Sequence, residues 1–498
     1  MAVNISRRTF LKDVSKGTLG LAAASVIGVP GALAEEAKPF EGKMQFAGTH
    51  NVRHITEDLL WLGASDQRIA LFENVYPVPR GISYNAYLLL DEKTVLFDTV
   101  DRSVAGQFFE NLTYGLQGRT LDYIVVHHLE PDHSAMIAEV VRRYPDVQIV
   151  CTELAATMLK NFQQIDVAQH GYTVSEGMGL NVGRHSFVFT MAPMVHWPEV
   201  MMTYDATTGT LFSADAFGTF GAIGGNLFAD EVKFETEWID DARRYYCNIV
   251  GKYGPQVQDV LAKAGTLDIR MVCPLHGPIW RENIGWFVGK YDQWSRYEPE
   301  EKSVLVVYGS IYGGTENAAA LISTRLSMGG QFNVVTRDVS KTHVSELIAE
   351  AFRCSHIVLA SATYNNEIFT PMKNFLGDLA AHNLQGRTYA LIENGSWSPV
   401  AGAKMKAMMD AMPGMRQVGE TVTIHSTPNE ENYEQIVALA EAVLADLAGA
   451  SESAPAVEEV AGERWKCTVC GYIHEGALPE DFKCPVCNVG PDKFERVE

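Results

Sequence analysis

Two groups of residues in this 498-residue chain have the types and spacing to hold metal ions. The first is His128-Leu129-Glu130-Pro131-Asp132-His133, directly after the strand-like run Tyr123 to His127. Its two imidazoles and two carboxylates offer nitrogen and oxygen donors within one loop. Such a loop can turn His128 and Glu130 toward one metal and Asp132 and His133 toward its neighbour. The remaining donors must come from afar. His196 lies in Met-Val-His-Trp-Pro, Asp215 in Ser-Ala-Asp-Ala-Phe-Gly, and His276 in Cys-Pro-Leu-His-Gly-Pro. Each follows an apolar run, which puts it at a strand end or in the loop beyond. His127 is different, because alternation along a strand sends it to the opposite face from His128. It reads as a packed residue. The second group is Cys467-x-x-Cys470 and Cys484-x-x-Cys487, with thirteen residues between the pairs. Two such knuckles close a tetrahedral thiolate cage around one ion. The spacing alone suits a structural zinc ribbon as well as a redox-active iron.

A third set suits an anion and a flat ring. Ser310-Ile311-Tyr312-Gly313-Gly314-Thr315 joins the buried run Val304 to Tyr308 to a helix. Backbone N–H groups and the helix N-terminus face a phosphate there, and Ser310 and Thr315 add hydroxyl donors. The loop has no lysine of the Walker type, which argues against ATP. Two later loops follow apolar runs at Ile357 to Ala360 and Tyr389 to Ile392. They are Ser361-Ala362-Thr363-Tyr364-Asn365-Asn366 and Asn394-Gly395-Ser396-Trp397-Ser398. They supply aromatic faces and polar edges, although ordinary packing would also account for Tyr364 or Trp397 taken alone.

These sets must be carried by several units, because the chain is too long for one core. From about 40 to 298, alternating strands mix with helices. Tyr84 to Leu90, Thr94 to Asp98, Tyr123 to His128 and Phe187 to Met191 read as strands. Residues 298–302 are charged and contain Pro299, which suits a boundary. From 302 to 447 strands alternate with helices, which argues for a parallel sheet closed by a helix from Asn432 to Leu447. Residues 448–462, rich in Ala, Ser, Glu and Pro, read as a flexible linker before a small domain at 463–498. Cys151, Cys247, Cys273 and Cys354 are scattered in apolar stretches and read as buried free thiols.

The start reads as a leader. Ser6-Arg7-Arg8-Thr9-Phe10-Leu11-Lys12 matches a twin-arginine export signal, followed by an apolar stretch from Gly17 to Leu33 and a cleavage site at Ala32-Leu33-Ala34. Export to the periplasm or another extracytoplasmic compartment is the expectation, with an uncleaved leader as a membrane anchor the variant form. Removing 1–34 takes away four basic and one acidic residue, so the formal charge moves from -21 to -24 (-21 minus +3). That charge argues against nucleic acid as a partner.

The motifs resemble known families. Cys-Thr-Val-Cys-Gly-Tyr-Ile-His-Glu-Gly with Cys-Pro-Val-Cys resembles rubredoxin, which implies an iron at Cys467, Cys470, Cys484 and Cys487. The histidine and carboxylate set resembles the metallo-β-lactamase fold in its flavodiiron branch, with Glu130 where hydrolases of the fold carry a second histidine. A hard anionic donor there favours iron over zinc. The resemblance assigns His128, Glu130 and His196 to one iron and Asp132, His133 and His276 to the other, with Asp215 bridging. The three loops resemble flavodoxin, which implies FMN held by residues 310–315, 362–365 and 394–397. Asn394 departs from the usual opening of the third loop.

In this order the units resemble a flavodiiron protein with a C-terminal rubredoxin. The implied fold class is α/β and α+β multidomain: a metallo-β-lactamase-like αββα sandwich, a flavodoxin-like doubly wound parallel sheet and a small rubredoxin-like knuckle. The implied activity is reduction of NO to nitrous oxide, of O2 to water, or both, with electrons passing from rubredoxin iron to FMN to the diiron site. The implied partners are an external electron donor or rubredoxin reductase and a head-to-tail homodimer or homotetramer. The competing readings are a hydrolase of the metallo-β-lactamase fold and an electron carrier without gas reduction.

Overall fold

The computed structural model of the chain describes residues 50–449, 463–479, 481–485, 487 and 489–497. The leader and nearly all of the linker segment lie outside the described residues. Among the described residues no helix is long and apolar enough to cross a membrane.

The first unit is built on two facing sheets. One runs Arg53–His54, Leu59–Trp61, Tyr87–Leu90, Thr94–Phe97, Tyr123–Val125, Gln148–Thr152, Gly171–Val174 in spatial order. The other runs Gly179–Asn181, Ser186–Met191, Met201–Asp205, Thr210–Phe212, Met271–Cys273. Strand alternation sorts the side chains into layers. Tyr87 and Leu89 join Phe97, Phe187, Phe189 and Phe212 between the sheets. Leu88 turns outward and packs with Phe108 and Leu112 of the helix Ala105–Leu116. Both faces of these strands are therefore buried, which explains their continuous apolar runs. On the second sheet's side, Phe287, Tyr291 and Trp294 of the helix Ile284–Ser295 lie in the same outer cluster as Val257 of the helix Gly254–Ala264. The result is an αββα sandwich.

The second unit is a parallel sheet in the order Asn333–Asp338, Glu301–Gly309, Cys354–Tyr364, Thr388–Asn394, Arg416–Gln417. Val304 and Val306 face the helices Gly314–Met328 and Glu430–Leu447, while Leu305 and Val307 face Val344–Arg353 and Thr370–Ala381. This is the doubly wound arrangement.

The join between the units is packed. Arg387 is 1% exposed and donates to the carbonyls of Tyr297, Ala351, Phe352 and Gln385. Glu300 accepts from Lys290 and from the Trp294 indole, and it pairs with Arg243. Burial would raise its carboxyl, but Arg243 and Lys290 hold it at about 2. The third unit is a three-stranded sheet of Ile473–Glu475, Arg464–Cys467 and Phe494–Val497.

Several elements differ in extent from the sequence reading. The run Tyr84 to Leu90 divides into Ile82–Tyr84 and Tyr87–Leu90, which belong to different sheets. Asn85 marks the division; its amide donates to Pro274 O and Gly277 O and accepts from the Trp61 indole. The strand before His128 ends at Val125, so both histidines lie in the loop. The last helix begins at Glu430, capped by the Asn429 side chain. Cys151, Cys247, Cys273 and Cys354 are buried free thiols.

Candidate metal centres and cofactor loops

The loop after Tyr123–Val125 is pinned from both sides. His127 turns into the core, with Nδ1 2.5 Å from Asp98 Oδ2 and Nε2 2.7 Å from Thr203 Oγ1. Its N–H donates to Asp98 Oδ1. His128 turns the other way, and its Nδ1 lies 2.8 Å from Glu199 Oε1, which also accepts from Leu129 N. With Nδ1 committed, the Nε2 atom is left to face the cavity. His276 is fixed likewise, its Nδ1 2.6 Å from Ser83 O. Pro131 opens the short helix Pro131–Ser134, which presents Asp132 and His133 on one turn.

Seven donors converge from these loops. His128, Glu130, His196 and Asp215 form one group, and Asp132, His133 and His276 form another, with donor atoms inside each group within 4.8 Å of one another. Asp215 spans the two. Its Oδ2 lies 3.3 Å from His128 Nε2 and 3.3 Å from His196 Nε2, while its Oδ1 lies 3.2 Å from His133 Nε2 and 3.6 Å from His276 Nε2. These approaches lack hydrogen-bond geometry: both oxygens of Asp215, both of Asp132 and Nε2 of His196 are buried without a hydrogen-bond partner. Unpartnered buried donors cost free energy unless something meets them. Lone pairs aimed at two common points, with one carboxylate between, fit two cations. Burial alone would raise the Asp215 carboxyl, but His133, His196 and His128 hold it well below the usual range. The histidines move the opposite way: burial would lower His133, yet Asp132 and Asp215 push it up to about 10.

A cavity of about 800 Å³ opens beside this cluster, lined by Phe72, Glu73, Tyr84, Glu130 and Asp132. A smaller one of about 340 Å³ is lined by Glu130, His196, Trp197, Tyr253 and His382.

In the third unit, Cys467 Sγ lies 3.6 Å from Cys487 Sγ and Cys470 Sγ 3.4 Å from Cys484 Sγ, and all four sulfurs share one space. Spacings of this size suit four thiolates around one tetrahedral ion. Tyr472, Phe482 and Phe494 pack beside it.

The three loops of the second unit end neighbouring parallel strands. Gly313 N donates to Ser310 Oγ at 3.1 Å, and the helix Gly314–Met328 starts immediately after. A Cβ at Gly314 would lie 1.9 Å from Ser426 O, so only glycine fits there. Thr363 Oγ1 accepts from Val400 N and Ala401 N. Asn394 brackets the Ser426 backbone, donating to its carbonyl at 2.9 Å and accepting from its N–H at 3.0 Å. Its departure from the usual loop opening thus has a structural role. Tyr312 is 98% and Trp397 91% exposed, and Tyr364 and Ile311 are also exposed. Packing within the chain does not account for the rings of Tyr312 and Trp397.

Comparison with known proteins agrees with this geometry. Residues 82–277 match the ODP family beta lactamase, and residues 465–495 match the rubrerythrin rubredoxin-like domain. The chain is 27% identical to the anaerobic nitric oxide reductase flavorubredoxin of Aliivibrio fischeri, over 89% of this chain and 99% of that protein. It is 28% identical to the flavorubredoxin of the same name from Vibrio vulnificus, over 89% and 98%. The solved rubredoxin oxygen:oxidoreductase of Desulfovibrio gigas superposes with a TM-score of 0.76 at 25% identity, covering 80% of this chain and 99% of that one. The architecture matches that of solved flavodiiron proteins, with a rubredoxin-like tail added. FMN, two non-haem irons and a four-cysteine iron form the cofactor set of flavodiiron proteins with such a tail, and this chain has side chains suited to each.

Sequence reasoning missed residues that act behind the donors. Glu199, 1% exposed, fixes His128 from the same loop that carries His196. Its signal was its place three residues after His196 in a run with no other acid. Asp98 closes a strand in the way Asp215 follows one, but it points at His127. The Ser426 loop has no motif; only its contacts with Asn394 and Ser396 reveal it.

Proposed function

We propose that this chain is an oxidoreductase that reduces NO to nitrous oxide, O2 to water, or both, within the seven-donor cluster. The observation that carries the reading is the pair of Asp215 oxygens, each aimed at a different half of the cluster and neither hydrogen-bonded. When bound, the four-thiolate iron and FMN relay electrons and the iron pair supplies the reducing site for the gas. The protein's part is geometric. Glu199 and Ser83 O hold two imidazoles so that Nε2 faces inward. Glu130 places a hard anionic donor in the His128 half, which favours iron over zinc. Phe72 and Tyr84 place aromatic faces among the charged side chains that line the larger cavity. The relatives' names point to nitric oxide for the Aliivibrio and Vibrio proteins and to oxygen for the Desulfovibrio one. Glu130 and the fused redox units disfavour the hydrolase reading.

A head-to-tail pair of chains is part of this proposal, and topology supports it. The flavin loops lie at the carboxyl ends of the parallel strands. The helix Thr370–Ala381 runs back along the sheet, so Ala381 and His382 lie at its opposite edge, and both line the smaller cavity with Glu130 and His196. The nine-residue strand Glu301–Gly309 alone spans roughly 26 Å between those edges. Within one chain, the flavin loops and the metal cluster are therefore at opposite ends, and a second copy is needed to bring them together. The donor is an external carrier or a rubredoxin reductase. Export by the twin-arginine route is likewise proposed, supported by the Ser6 to Lys12 motif, and cell fractionation tests it.

The deciding experiment is anaerobic turnover of chemically reduced enzyme with NO and, separately, with O2. Nitrous oxide or water formation at many turnovers per chain supports the proposal. Hydrolysis of thioesters or lactams without either would overturn it.

A further inference from the structure

The four-cysteine domain is seated on the first unit at a particular place. Met194 is 4% exposed, and the cluster it joins is that of Cys467, Cys470 and Cys484 rather than the core of its own unit. Tyr253 packs against the same cluster. Gln256, 7% exposed, donates from Nε2 to Cys470 O at 3.0 Å. Gly471, at φ +75, faces Asp259, 3.7 Å from where a Cβ would stand. These contacts involve the Cys467–Cys470 knuckle, the part of the domain that would surround its ion.

The seat is close to the metal cluster and far from the chain's own flavin loops. Met194 is two residues from His196, and Tyr253 lines the cavity that also holds Glu130, His196 and His382. His382 marks the sheet edge opposite the flavin loops. A tail in this seat has its own flavin site at the far end of a sheet and the mouth of its own metal cavity beside it.

We propose that Met194, Tyr253 and Gln256 form the docking seat of the four-cysteine domain, and that from this seat the domain delivers electrons to the flavin of a second copy of the chain rather than to its own. The inference rests on the cofactor set and the paired arrangement of the proposed function. Each handover removes one electron from the four-thiolate iron, ferrous to ferric, and adds it to the flavin of the second copy. An external one-electron donor of the rubredoxin-reducing class restores the ferrous state. A buried amide hydrogen bond and a methionine shared with the knuckle fit a specific seat better than a passing contact.

Hybrid pairs of full chains test this. One chain carries Gly314→Val, which removes its flavin site; the other carries Cys484→Ser and Cys487→Ser, which remove its tail iron. Different affinity tags on the two chains isolate hybrids. Flavin bleaching is followed after adding NADH and a rubredoxin reductase, alongside the initial flavin and thiolate-to-iron absorption. The proposal expects bleaching within about twofold of the wild-type rate per flavin, because the intact tail and the intact flavin lie on different chains. Gln256→Glu in the tail-bearing chain would set a carboxylate against Cys470 O and is expected to slow bleaching at least tenfold; Gln256→Ala, milder, is expected to slow it less. Gln256→Glu in the tail-less chain is expected to change nothing. Bleaching no faster than in the tail-less homopair, or insensitivity to both Gln256 variants, would overturn the proposal. Chains that fail to pair, or that show no flavin or thiolate-to-iron absorption, would overturn it together with the functional reading beneath it.

Discussion

The metal cluster and the flavin loops are opposite solutions to holding a cofactor. Around Asp215 the donors are buried except Glu130, which is partly so, and the orphaned atoms point inward from loops of both sheets of one sandwich. Around Trp397 the polar groups are already satisfied by one another, and the large rings stand in solvent. A metal ion is bound by few atoms at fixed geometry, so its donors need firm supports behind them, as Glu199 supports His128. A flavin offers a broad face and a phosphate, so backbone N–H groups and exposed rings suffice, with the proposed second copy of the chain completing the cover. The difference predicts distinct sensitivities. The metal cluster should fail when one donor or the residue behind it changes, and the flavin site when its backbone is crowded.

The largest expected effect is Asp215→Ala. It removes the only described carboxylate facing both halves, so iron bound at the cluster should fall to near zero and gas reduction should be lost. FMN and the four-cysteine iron should remain, since those units have cores of their own. Metal analysis and visible spectra check this, and wild-type turnover would show that Asp215 is not the bridge.

Gly314→Ala tests the other side of the comparison. Its Cβ would meet Ser426 O at 1.9 Å, and relieving that clash must shift the loop. Overpacking of this kind costs about 1–3 kcal/mol, so FMN affinity should fall by roughly tenfold or more while metal content holds. Equilibrium dialysis of FMN reads the result; unchanged affinity would remove this loop from the flavin site.

Glu199→Gln sharpens the point that buried supports matter. A neutral amide can still accept from His128 and Leu129 N, but it no longer offers a full charge to the imidazole. Changes behind a metal ligand cost about 10–100-fold in metal affinity, and the conservative replacement should lie near the lower end. Chelator competition measures it, and a variant that keeps its iron as firmly as the native chain would reduce Glu199 to a packing residue.

Trp397→Ala should have the smallest effect on stability. With 91% of the residue exposed, the expected change in unfolding free energy is within about 0.5 kcal/mol. FMN retention should fall while the melting temperature holds. A drop in both would mean that the ring is part of the fold.

The same contrast governs what was legible in the sequence. The His128 to His133 loop is legible because ligand chemistry needs particular atoms, and few other demands concentrate His, Glu and Asp at a strand end. The parallel sheet is legible from strand runs alternating with helices, and Val304 to Tyr308 shows how little is needed; the sandwich is legible only through the resemblance of its ligand set to a known fold. Boundaries are less so. Tyr84 to Leu90 reads as one strand because hydropathy does not register Asn85, whose three polar contacts divide it. Glu199 and Ser426 act through partners far away in sequence, at separations of 71 and 32 residues from His128 and Asn394. Nothing local marks such residues. The packing of the tail against Met194 and Gln256 is illegible for the same reason.

One chain has donor sets for a diiron cluster, a flavin and a four-thiolate iron, and redox work needs all three loaded. Metal and flavin analysis of the purified full chain tests it most directly. The expected result is three irons and one FMN per chain, with visible absorption from thiolate-bound ferric iron. Two zinc ions in the seven-donor cluster, with no FMN, would contradict it and return the chain to the hydrolases.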